Sequence, residues 1–166
     1  MDVLQGTALV AATLTMGLMA GVFGLYAHAI MPGLRTTDDR TFVGAFQAID
    51  RAIINPLFMV WFFGALGFAA VAAALFGGEG SVLPWIAAAL VLYLTVFVIT
   101  FRVNLPRNDA IKAAGSPDAI ADLGTVRERF DEARWMAWNV FRAVLSTVAF
   151  GCLAWALVEY GRTVLA

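Results

Sequence analysis

The sequence predicts an all-α integral membrane four-helix bundle. A short cytoplasmic amphipathic helix separates spans 1 and 2, and helical cytoplasmic segments precede span 4. Three observations predict this fold. Residues of the AVILMFWYC set make up 61% of the 166 residues and Asp, Glu, Lys and Arg only 14%, where an ordinary soluble domain has about 25% charged. Four apolar stretches, about 6–31, 56–76, 82–101 and 135–159, are each long enough to cross a hydrocarbon layer of about 30 Å as a helix. In lipid, every backbone N–H and C=O must be satisfied within the segment, and these runs lack the alternation of a barrel strand. The whole chain, 1–166, reads as one membrane domain. A disordered chain, a disulfide scaffold, a water-soluble globule and a nucleic-acid binder are excluded.

Span 1 reads as a retained helix. Ala27-His28-Ala29 has a small-x-small pattern, but the N-terminus carries Asp2 and no Lys or Arg, and the run exceeds a leader's h-region. Gly17, Gly21, Gly24 and His28 follow at spacings of 4, 3 and 4 on one face. The glycines permit close helix packing, so His28 is expected to face protein, and the same face is a candidate homo-oligomer surface. His28 is a candidate general base, or a satisfied histidine at a helix end. Met16, Met19 and Met31 read as gap-filling side chains.

Between spans 1 and 2, Phe42, Phe46, Ile49 and Ile53 are spaced 4, 3 and 4, a helical apolar stripe. Gln47 and Asp50 sit on the same segment. Asn55-Pro56 then restarts the chain with a good N-cap and a proline suited to the first helical position. The loop between spans 2 and 3, Gly77–Ser81, is too short to hold a site.

Span 3 ends in Arg102-Val103-Asn104-Leu105-Pro106-Arg107-Asn108-Asp109, with Pro106 expected to terminate the helix. Asn104 and Asn108 either cap the freed carbonyls or supply amide groups to a cavity mouth. Ser116-Pro117-Asp118 reads as a short helix start. Thr125-Val126-Arg127-Glu128 reads as a capping box, so helix 4 is expected to begin near Val126 and run unbroken into span 4.

Arg35, Arg40, Arg51, Arg102, Arg107, Lys112, Arg127, Arg129 and Arg134 place nine positive residues on one side, against Arg162 alone on the other. The positive-inside rule puts both charged loops in the cytoplasm and both termini outside, in a multi-pass protein of the plasma (inner) membrane. No internal repeat is visible in the sequence.

Arg142 lies about two turns inside span 4, where a central arginine costs roughly 2.5–3.5 kcal/mol on insertion scales and so faces the bundle or a wet cavity. Asp131, Trp135, Trp138, Asn139 and Arg142 share about a quarter of the helix circumference. Two readings stand: a packing stripe with Arg142 paired to Asp50 or Asp109, or a site that meets other polar groups at the same depth. One cysteine, Cys152, and one histidine exclude a zinc site and bis-histidine haem ligation within the chain. Cys152 reads as a small buried hydrophobe. No P-loop, GxGxxG, GxSxG or HExxH pattern is present.

Met31-Pro32-Gly33-Leu34, Asp38-Asp39-Arg40-Thr41-Phe42, Gln47-Ala48-Ile49-Asp50-Arg51 with Asn55-Pro56, Asn104-x-Pro106-x-Asn108 and Trp135-x-x-Trp138-Asn139-x-x-Arg142 together resemble the anthrone oxygenase-like family of small membrane proteins. The resemblance implies four spans and an oxidation of anthrones to anthraquinones by O2. The residues it carries over are Gln47, Asn55, Asn104, Pro106, Asn108, Trp138, Asn139 and Arg142. Asp50 stands where the family pattern has Asn, and His28 is not part of it.

The expected function is therefore oxygenase-like action on a hydrophobic phenolic, anthrone-like or quinone-like molecule. Arg142 with Asn139, Asn104 and Asn108 would hold the anion, and Asp50, Asp109 or His28 would be the base. Trp135 and Trp138 would stack on the ring, with Gln47, Asn55, Arg107 and Asp109 as further substrate contacts. The expected partners are the lipid bilayer and a hydrophobic small molecule. O2 is the co-substrate, and no metal, haem or other cofactor is expected. The alternatives are a non-enzymatic binding or transport protein for small amphiphiles, and a structural subunit of a membrane complex.

Overall fold

The computed structural model describes residues 3–78 and 80–165. Asp2, and Glu79 within the loop between spans 2 and 3, lie outside the described residues. The described residues form helices and turns with no strand. Helix α1 (Val3–Leu25) runs through a π-helical turn (Tyr26–Ile30) into α2 (Met31–Arg35); α3 (Asp39–Ile53) and α4 (Pro56–Leu75) follow. Helix α5 (Leu83–Ile99) runs through a second π-helical turn (Thr100–Asn104) into α6 (Leu105–Ala113), before α7 (Leu123–Phe130) and α8 (Glu132–Leu165). Four helical stretches, those containing α1, α4, α5 and α8, are long and apolar enough to cross a membrane.

Helix α1 packs against α4 and α8, and α5 packs against α8 and, more sparsely, α4. Consecutive spans are thus neighbours around a ring, and the α4–α5 seam is its loosest side. Lipid tails offer helices little hydrophobic reason to associate, so close approach of small residues matters more. Ala65, Ala69 and Ala72 of α4 are fully buried at helical spacing, as are Leu9, Ala12, Met16 and Met19 of α1. Cys152 is half-buried against this core. Of the predicted glycine face, Gly17 alone serves close packing: a Cβ there would lie 2.9 Å from the Phe150 ring. Gly21 and Gly24 meet nothing within 4 Å, and His28 is exposed rather than turned toward protein. The buried face of α1 passes instead through Met16, Met19 and Phe23.

Pro106 does not end span 3. The helix absorbs it with the π turn, whose closing bond runs from Leu105 N–H to the Thr100 carbonyl, five residues back. The widened turn makes room for a ring that would otherwise meet the carbonyl four residues behind it. Pro32 is accommodated in the same way, by a bond from Met31 N–H to the Tyr26 carbonyl.

The two halves therefore share one element order that no sequence repeat announces: span, π turn, proline-bearing helix, capped amphipathic helix, span. The caps also correspond. Asp38 accepts from Thr41 N–H at 2.9 Å, and Asp122 accepts from Thr125 N–H at 2.9 Å. Asp122, not Thr125, is thus the N-cap of α7. Residues 117–119 form only a turn, closed by Ala119 N–H on the Ser116 carbonyl. Nor does the last helix run unbroken from Val126: Asp131 takes a left-handed conformation (φ 55°) and separates α7 from α8.

Helices α2, α3, α6 and α7 cap one end of the bundle. Phe42 and Phe46 of the predicted stripe are buried there with Met31, Val43, Ile111, Phe130 and Trp135, while Ile49 and Ile53 are half-buried. Arg127 ties the cap together. Its guanidinium donates to the carbonyls of Thr37 and Arg35 and to Asp39 and Glu132, and it lies 4.3 Å from the Phe42 ring centre.

Candidate functional site

Beneath the cap, the four spans diverge around a cavity of about 250 Å³. Its walls come from α1 and its π turn, α3, α4, the second π turn, α6 and α8. Phe58 and Phe62 give it an apolar interior, and Ile54, Phe63 and Phe101 on its rim are each about half exposed. The cavity therefore opens sideways along the α4–α5 seam.

Arg142 forms the polar wall and is only 5% exposed. Its Nη1 donates to Thr100 Oγ1 at 3.1 Å and its Nη2 to Asn139 Oδ1 at 2.9 Å. The guanidinium lies 4.5 Å from the Phe23 ring centre and 5.7 Å from that of Trp135. Among the described residues no carboxylate lies within ion-pair distance of it. Asp50 and Asp109, the acids that a packing stripe would need, both pair instead with Lys112, at 2.7 and 3.2 Å. The cation beside the cavity is thus held by neutral oxygens and aromatic faces. Its Nε also lacks a hydrogen-bond partner.

Asn139 is fully buried, and its Nδ2 donates to the Phe23 carbonyl at 3.0 Å. Asn104 Nδ2 donates to the Trp135 carbonyl at 3.2 Å, which leaves the buried Oδ1 unpaired. Asn108 accepts from Trp135 Nε1 and donates to Asp50 Oδ1, both at 2.7 Å. A chain Trp135–Asn108–Asp50–Lys112 therefore closes the cavity toward the cap. Buried polar groups left unpaired are uncommon and mark either strain or an absent partner.

The structure brings together Arg142, Asn139, Asn104, Asn108, Asp50 and Trp135 of the sequence-predicted residues. The others stand apart. Gln47 is buried in the cap, where its Nε2 donates to the carbonyls of Ile111 and Gly115 at the end of α6. Asn55 is the exposed N-cap of α4. Trp138 is half-buried against Phe141, because its position lies at the edge of the α8 stripe that Arg142 centres. Arg107 donates to the Val103 carbonyl, Asp109 is exposed, and His28 is on the outer face.

Phe23, Tyr26 and Thr100 are among the cavity residues that escape sequence reasoning. A signal for two of these three exists. Tyr26 and Thr100 each open a π turn, and each stands six residues before the proline that follows it, Pro32 and Pro106.

The sequence profile of the anthrone oxygenase family matches residues 57–152. The chain belongs to the anthrone oxygenase family. The matched segment contains Asn104, Asn108, Trp135, Asn139 and Arg142, whereas Tyr26 and Asp50 precede it. No curated protein and no solved structure matches the chain. Within this anthrone oxygenase family member, the matched spans supply the cation and the amides, and the segments before them supply the carboxylate and a phenol.

Proposed function

We propose that this protein is a membrane-embedded oxygenase that converts a flat, lipid-soluble phenolic or anthrone-like molecule with O2. The observation that carries the reading is Arg142, a buried guanidinium with no carboxylate partner among the described residues, in the wall of an open, aromatic-lined cavity. An anthrone is a carbon acid whose conjugate base is a phenolate. Asp50 takes the ring C–H proton, and the charge that develops on the carbonyl oxygen is met by Arg142 in a site of low dielectric. The electron-rich carbon then reacts with O2. The methylene carbon becomes a carbonyl, one oxygen atom enters the product, and the other leaves as water with the two hydrogens. No resident cofactor is invoked.

Asn108 and Lys112 hold Asp50 in place. Asn139 and Thr100 hold Arg142. The side opening admits a substrate dissolved in the bilayer, which in this reading is the plasma membrane with the capped end in the cytoplasm.

The test uses the purified full chain in nanodiscs with anthrone, following O2 uptake and quinone absorbance above the protein-free rate. Wild type is expected to turn over, and Arg142→Met to fall by at least about 100-fold with its helical content intact. A wild-type rate equal to the protein-free rate overturns the reading.

A further inference from the structure

Tyr26 lines the cavity from the first residue of the α1 π turn. Its ring packs on Trp135 with centroids 5.8 Å apart, so the side chain is fixed by contacts that do not involve its oxygen. Its hydroxyl makes no hydrogen bond to any described residue and is not among the fully enclosed unpaired atoms. Asp50 and Arg142 line the same cavity. The Thr100 and Asn108 side chains are already engaged: Thr100 binds Arg142 and the Val96 carbonyl, and Asn108 binds Trp135 and Asp50. With the unpaired Arg142 Nε, the Tyr26 hydroxyl is a donor left for a ligand.

We propose that Tyr26 is a catalytic residue whose hydroxyl donates a hydrogen bond to the substrate oxygen, sharing with Arg142 the charge that forms there. This rests on the reading above and deepens it. A carboxylate base and a tyrosine donor divide the enolisation of a ketone between them: one takes the C–H proton while the other strengthens its bond to the oxygen as it becomes anionic. The ligand chemistry follows. The site prefers a flat aromatic body carrying one oxygen that accepts a hydrogen bond, over the same body without it. A pocket built around such a bond discriminates strongly because its own donor is otherwise left unpaired.

The test measures binding of 2-naphthol and of naphthalene to the full chain in nanodiscs, by tryptophan fluorescence, for wild type and Tyr26→Phe. Phenylalanine keeps the ring contact with Trp135 and removes only the hydroxyl. Wild type is expected to prefer 2-naphthol, and Tyr26→Phe to bind it about tenfold more weakly with naphthalene unchanged. Wild type without that preference, an unchanged 2-naphthol affinity in the variant, or an equal loss for both probes overturns the proposal. The readout needs no O2. A protein that keeps the Tyr26-dependent preference yet never consumes O2 with anthrone retains this contact and loses the oxygenase reading; turnover with no effect of Tyr26→Phe on binding does the reverse.

Discussion

Asn139 Oδ1 accepts a hydrogen bond from Arg142 Nη2 at 2.9 Å, one turn apart on α8. A neutral acceptor thereby orients the guanidinium without cancelling its charge. The same amide is fixed from its other end by the Phe23 carbonyl, so the orientation of Arg142 depends on the α1–α8 contact.

Asn139→Asp tests whether the uncompensated charge matters. It sets a carboxylate where the amide oxygen stands, at nearly the same volume. Anthrone turnover is expected to fall by at least about tenfold, because the cation then pairs internally. Helical content measured by circular dichroism is expected to persist. Unchanged turnover would show that the site does not use the free charge.

Arg127→Lys tests the cap. Arg127 serves two carbonyls and two carboxylates and covers the Phe42 ring. A lysine has one point of charge and no planar fork, so it satisfies only part of this set. A destabilisation of about 1–3 kcal/mol is expected. Thermal unfolding in detergent measures it, and an unaltered melting curve would contradict the assignment.

The acid limb of stability is expected to come from the two helix caps. Hydrogen bonds from the Thr41 backbone and then its hydroxyl hold the Asp38 carboxyl below its usual range, and Thr125 does the same for Asp122. A carboxylate lowered in the folded state stabilises above its unfolded pKa and loses that contribution as pH falls through the folded one. Protection factors of the Thr41 and Thr125 amides should therefore stay high near neutrality and fall only below the usual carboxylate range. The double variant Asp38→Asn, Asp122→Asn should lose this dependence while keeping the caps. Loss of protection already at about pH 6 would rule the caps out as its source.

Local rules made several features legible. Asn55 caps α4 with Pro56 behind it, because that cap needs only a side chain and the amide three residues on. The Phe42–Phe46 stripe could be read from spacing alone, because a helix surface has a fixed period. The same period misled at Trp138: it places residues on a stripe but cannot say where the stripe's centre faces. It misled again at Gly21, Gly24 and His28, where small residues sit beside lipid-side space rather than a partner helix. The π turns were invisible because a proline inside a helix can break it, kink it or be absorbed, and neighbouring spans decide which.

By itself the sequence determined four apolar helices, a charged end and an arginine that hydrocarbon does not tolerate, since length, hydropathy and insertion cost are properties of segments. Only the tertiary structure decided that this arginine lacks a carboxylate partner among the described residues and faces open volume. Pairing depends on which side chains from distant segments arrive at the same depth: Lys112 claims Asp50, and Tyr26 and Thr100 arrive through their π turns.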